Sequence, residues 1–319
     1  FLIAACGGSP LCVWWVQSLL GLLVSLSLTW LVWVRCGNAG AALGVGIVHS
    51  LYLNQLAMEA AILSETLCSA LVVLSVLLYA FSRPRFGLGW AFLLGLASAA
   101  TALTRPLFFF FNPLCALFAG ARLKDGRQPL LRAAAGVFIT LLPYLVLGLL
   151  LSELNRRTTG VFAPTTIGGF AIMNQSAPFV EEAPDEYATV RDIFIRYRDR
   201  RLLETGNWNC AGSDAVAEIA EATGWSQARV AQEMTRMSFH LLLRHPVAYA
   251  EKVAKSWVFF WRIPIYWHTD KLVPERATGL LNGAWRIQKM IGVVGCAFFL
   301  LLCVAIARRC MKDGGHTGW

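Results

Sequence analysis

The chain carries runs of apolar residues close to the length of a bilayer crossing, and no other feature restricts its fold as strongly. A helix needs about 20 apolar residues to span the ~30 Å hydrocarbon core of a membrane. A membrane strand would instead alternate apolar and polar side chains, whereas the stretch 133–151 is apolar at odd and even positions alike. Composition agrees, with 57% hydrophobic and 15% charged residues and a mean hydropathy of +0.56. A soluble domain has roughly 25% charged residues, so this chain has too little polar surface to face water all round. The expected fold class is all-α: a polytopic transmembrane helix bundle with a mostly helical extracytoplasmic loop domain.

The apolar runs fall at 11–34, 39–57, 62–81, 88–103, 107–119, 133–151 and 287–307, with Pro143 as an expected kink in the sixth. Basic residues in short loops mark the cytoplasmic side. Arg35, the Arg83/Arg85 pair, the cluster Arg122, Lys124, Arg127 and Arg132, and Arg308/Arg309/Lys312 lie at alternate ends of successive runs. One orientation puts all of them inside, leaving 54–65 and 104–106 outward with one base between them. The resulting organisation is a membrane bundle over 1–151, an extracytoplasmic helical domain over 152–286, and a final span with a cytoplasmic tail over 287–319. The net charge of +9 is thereby absorbed by topology and headgroup contact, and no basic, aromatic-interleaved module of a nucleic-acid binder is present. Phe1 opens the chain without Met or a basic n-region, which reads as the interior of a longer protein.

Nine cysteines are scattered with no C-x-x-C pair, and eight lie in or beside apolar runs, where cysteine behaves as a small hydrophobe. Only Cys210 falls in a polar region, so neither a metal site nor a disulfide framework is expected. Nor is there a G-x-x-x-x-G-K-[ST] loop for a nucleoside triphosphate. In the outward segment, helices are expected over 185–204 and 213–223, beginning at Asp and Ser caps, and over 226–244 with Ser226 as N-cap. A further helix, 246–262, opens on Pro246 and sets Lys252, Lys255 and Arg262 among Trp257, Phe259, Phe260 and Trp261. That pattern suits a helix lying in the interface plane, and equally a plain re-entry helix.

Charged residues at membrane depth are expensive and mark functional sites by default. Glu59, Glu65 and Arg105 stand out, all at the outward side. A carboxylate there can act as general base or metal ligand, and an arginine can clamp a phosphate. Alternatively Glu65 and Arg105 are interfacial residues paired with each other. Helix-end solvation accounts for Glu59, and His49 reads as a hydrogen-bonded packing residue. Asn174-Gln175-Ser176 matches the glycosylation sequon, a triplet common by chance.

Three segments carry a family likeness. Ile62-Leu-Ser-Glu-Thr-Leu-Cys68 resembles the "T/S-E-x-L-F" element of GT-C superfamily glycosyltransferases. Gly95-Leu-Ala-Ser-Ala-Ala-Thr-Ala-Leu-Thr-Arg-Pro106 is similar to their "G-L-A-x-G-L-A-x-L-T-K/R-P" stretch. His245-Pro-Val-Ala-Tyr249, with Lys252, Lys255 and Phe259-Phe-Trp-Arg262, resembles their "N/H-P-x-x-Y-…-R-F-W" helix. The likeness is to the protein mannosyltransferase-like and aminoarabinose transferase-like branch. It implies transfer of a sugar from a polyprenyl-phosphate carrier to a glycan, lipid or protein acceptor, on the outer face of a bacterial inner (plasma) membrane. By the same resemblance Glu65 helps to build the catalytic pocket and Arg105 meets the carrier phosphate, with Lys252, Lys255 and Arg262 as lipid or phosphate contacts. A divalent metal cofactor is left open. The family's main catalytic Asp belongs to an outward loop that would precede Phe1, so the chain is expected to be inactive alone. O-antigen-type polymerases or ligases, and transporters or lipid flippases, are the alternative readings.

Overall fold

A computed structural model describes residues 7–60, 64–82, 86–123, 129–260 and 275–312. Arg83, Arg85, Lys124, Arg127, Trp261 and Arg262 lie outside the described residues, as do the side chains of Phe259, Phe260, Arg308, Arg309 and Lys312. Every regular element among the described residues is helical. The first unit comprises α1 (Pro10–Cys36), α2 (Ala39–Ser50), α3 (Leu53–Ala60), α4 (Glu65–Phe81), α5 (Leu88–Thr104), a 3₁₀ turn (Pro106–Phe108), α6 (Phe111–Leu123) and α7 (Pro129–Thr159). The second has α8 (Gly168–Ser176), α9 (Ala188–Thr205), α10 (Ala211–Thr223), α11 (Gln227–Arg244) and α12 (Pro246–Phe260), and α13 (Glu275–Lys312) follows. Three stretches are long and apolar enough to cross a membrane: Pro10–Cys36, Pro106–Leu123 and Pro129–Thr159.

Small residues and a few buried polar groups hold the first unit together, as expected where apolar surface alone gives helices no reason to choose each other. A side chain on Gly95 would collide with the Thr140 backbone, so α5 and α7 touch main chain to main chain. Beside that contact Asn112, fully buried on α6, donates to the Ser98 hydroxyl (2.8 Å) and to the Gly95 and Thr140 carbonyls (3.2 Å each). One amide thus joins three helices. Pro143 is accommodated inside a continuous α7.

The helices run antiparallel, which gives the unit a basic end and an acidic end. At the basic end Arg35 donates to the Ala80 carbonyl and Arg122 to that of Tyr79 (3.4 Å), with Arg122 also 4.4 Å over the Tyr79 ring. Both cations serve carbonyls that the last turn of α4 leaves unpaired, where the helix dipole favours positive charge. At the acidic end Glu65 opens α4, where the same dipole favours a carboxylate.

One expected span is interrupted. The run 39–57 breaks at Leu51-Tyr52 into α2 and α3, and α2 alone is 12 residues, about 18 Å, too short to cross. Gln288 of α13 covers the gap, its Oε1 accepting from the Leu53 amide (3.0 Å) and its Nε2 donating to the Leu51 carbonyl (2.7 Å). Trp285 stacks on Tyr52 beside it (6.3 Å). The final helix also begins earlier than expected, at Glu275, and runs 38 residues to Lys312.

α7 continues past the acidic end and hands the chain to the second unit. The core of the second unit is Met173, Phe194 and Ile219 against Val230, Met234, Met237 and Leu241, all fully buried; the last four, spaced by three and four residues, share one face of α11. Ser226 caps α11 as expected, accepting from the Arg229 amide (3.3 Å). α9 and α10 begin elsewhere than expected. A 3₁₀ turn holds Asp185, and its carboxylate takes Arg191 in place of a helix end. α10 starts at Ala211 with no side-chain cap.

Candidate functional site

The fold brings Glu65 and Arg105 together. Glu65 is the first residue of α4, and Arg105 is the C-cap of the antiparallel α5, held there because Pro106 ends the helix. Arg105 Nη1 forms an ion pair with Glu65 Oε1, and both side chains remain about one-third exposed, at 33% and 30%. Each charge also sits at the helix end its sign favours, so dipole and pairing agree. Exposed pairs contribute about 0–1 kcal/mol, which is too little to make this pair necessary for the fold. Behind it Thr66 is fully buried, with a hydroxyl that finds no partner among the described residues. Chemically the pair offers a guanidinium and a carboxylate held side by side, both partly open to solvent.

The other expected contacts separate. Lys252 turns inward: its ammonium donates to the carbonyls of Asn174 (2.9 Å) and Gln175 (2.8 Å) and lies 5.5 Å over the Trp208 ring. Burial pulls its pKa down to about 8. It fastens α12 to α8, with its three protons largely committed. Lys255 is open to solvent, its nearest ionic neighbour being Glu251 at 3.9 Å. Arg262 lies outside the described residues. The face of α12 opposite Lys252 carries the exposed residues Val247, Val253, Trp257 and Val258, the apolar side an interface helix needs.

Most arginines of the second unit are internally paired. Arg198 meets Glu181, Arg196 meets Glu218 (2.5 Å), and Arg201 meets Asp214 (2.6 Å). These partners hold the Glu181 and Glu218 carboxyls below their ordinary range, chiefly through the arginine hydrogen bonds. The sequon is engaged as well, since Asn174 Oδ1 accepts from the Gly212 amide (3.2 Å) and Ser176 is fully buried. His49 is a packing residue as expected, its Nδ1 lying 2.8 Å from the Ser25 hydroxyl. Glu59 is the residue that sequence reasoning undervalued. It lies partly exposed in the last turn of α3, and its carboxylate occupies the space over Gly21 of α1. Among the described residues no cluster of three His, Cys, Asp or Glu could hold a metal ion.

Compared with protein-family models, with curated proteins and with solved structures, the chain matches none.

Proposed function

We propose that the chain acts as a polytopic membrane glycosyltransferase, which moves a sugar from a polyprenyl-phosphate-linked donor to an acceptor on the extracytoplasmic face. The observation that carries this reading is the Glu65–Arg105 pair at one end of the α4/α5 hairpin. The helical unit over Gly168–Arg244 follows α7 out of that same end. The reaction's leaving group is a lipid phosphate, whose developing charge a guanidinium stabilises. The nearby carboxylate orients that guanidinium and can receive an acceptor proton. The resemblance in the three segments supplies the donor class. On the transporter side stands one feature, the break between α2 and α3.

Topology is tested first. Cys210 is exposed on the second unit, whereas Cys68 and Cys115 are buried in the first. An impermeant thiol reagent added to intact cells should label Cys210 and spare those two. Labelling of Cys310 from outside, with Cys210 protected, would invert the orientation and end the reading.

Arg105→Ala in the full-length protein should weaken binding of the polyprenyl phosphate by roughly 10- to 100-fold, the scale of losing a hydrogen bond to a charged group. Lys should restore part of it, keeping the charge without the planar fork. Unchanged carrier binding in nanodiscs, with the protein folded, would remove Arg105 from the site.

A further inference from the structure

The short helix α2 leaves one face open. Ala41, Gly44, Val45 and Val48 recur along it at helical spacing, and with Leu28 of α1 they line a groove of about 520 Å³. A Cβ on Gly44 would meet nothing within 4 Å, so the open space reaches the main chain there. The flanking Leu43 and Ile47 are exposed, which turns this side of α2 toward whatever surrounds the bundle. His49 and Tyr52 line the outward end of the groove. Counted from Ala39 at the basic end, they stand roughly 15–20 Å along the chain, inside a hydrocarbon core of about 30 Å.

That end has hydrogen-bonding capacity to spare. The Ser25 hydroxyl has one proton, and the Gly21 carbonyl accepts it (3.1 Å). The 2.8 Å contact between the same hydroxyl and His49 Nδ1 therefore uses a proton on Nδ1, which leaves Nε2 of a neutral ring as an acceptor. Trp285 stacks on Tyr52 and is 7% exposed, and its indole N–H finds no partner among the described residues. No charged residue lines the groove among the described residues.

We propose that this groove binds a single-chain lipid alcohol, with the chain along α2 and the hydroxyl at the His49–Tyr52 end. An apolar chain is the occupant because the body of the groove offers water no hydrogen-bonding partners. It takes one chain, since its walls are one face of one helix and a single leucine of α1. Depth and lining together select the headgroup. A phosphate or carboxylate at this level would be a buried charge with no cation to meet it. A hydroxyl is neutral, donates to the imidazole nitrogen and accepts in return. The site is separate from the Glu65–Arg105 pair and stands whether or not the chain transfers sugar.

The test uses the full-length protein in nanodiscs and hexadecanol carrying a photoreactive diazirine on its chain, with cross-links mapped by mass spectrometry. The label should concentrate on the segment 41–52. Unlabelled hexadecanol should displace it, whereas hexadecyl phosphate and dioleoylglycerol at the same mole fraction should not. Gly44→Phe puts a ring where the wild type leaves open space, so labelling should be lost with the fold intact. His49→Phe keeps a ring but removes the acceptor, and should lower labelling about three- to tenfold, the scale of one hydrogen bond. Should either variant fail to fold, the displacement pattern in the wild type decides alone. Equal displacement by hexadecyl phosphate or dioleoylglycerol, label spread evenly over the exposed helices, or labelling untouched by Gly44→Phe overturns the proposal.

Discussion

Glu65→Gln in the full-length protein should lower sugar transfer by about 100-fold, the typical scale for a positioned acid or base, while barely moving thermal stability. The two halves of that expectation have different origins. The Glu65–Arg105 pair is about one-third exposed, so breaking it should remove at most about 1 kcal/mol. The substitution keeps the size of the side chain and its place at the start of α4. A large loss of turnover at nearly constant stability therefore isolates chemistry from scaffolding. Arg105→Gln should fall similarly, and the double variant should be little worse than the poorer single one, as for residues acting as a unit. Normal turnover in all three, measured on the complete protein, would reduce the pair to a helix-end contact. The transferase reading would then lose its main support.

Gly169→Ala should be the most destructive single methyl in the second unit. A Cβ on Gly169 would fall within bonding range of the Ala231 carbonyl oxygen, and the obstruction is backbone on a neighbouring helix, not a side chain able to swing away. α8 and α11 would have to separate, opening the core around Met173 and Met234. Overpacking of a tight core costs about 1–3 kcal/mol and at times more, and backbone against backbone belongs at the upper end. Gly168→Ala is the control, since its added methyl would meet only the Thr165 side chain at 3.3 Å. Limited proteolysis of the protein in membranes should show the segment after α7 cut rapidly in Gly169→Ala and unchanged in Gly168→Ala. Equal resistance in both would mean that α8 and α11 are not packed this closely.

Much of the helical layout was legible because its signals are local. Ser226 before an amphipathic run announced α11, and Pro246 announced α12. Pro106 marked where α5 had to stop, which fixed Arg105 at a helix end. The misses are tertiary. Nothing in 39–57 announces a break, because no proline or glycine sits at Leu51-Tyr52, and the group that replaces the lost ladder bonds comes from α13. Glycines and polar residues between Glu275 and Arg286 hid the early start of the last helix. Lys252 read as a headgroup contact, since its spacing among aromatics is the same whether the ammonium reaches outward or folds back onto Asn174. Glu59 was placed by sequence at a helix end, where it lies, but its packing against Gly21 of α1 could not be read from the sequence.

The Gln288 bridge also bears on how the protein is made. Helices enter a membrane in the order of synthesis, yet the Leu51 carbonyl and the Leu53 amide receive their partner from a residue more than 230 positions downstream. Until then two main-chain groups lack their final partner in a medium that penalises unsatisfied polar groups. The second apolar run is thus an unfinished insertion until α13 has been made. It will lodge at the membrane surface, or under the care of the insertion machinery, while the later helices emerge. A nascent chain stalled before α13 should carry α2 and α3 in a form that quality-control proteases can recognise, which makes α13 a checkpoint for those two helices.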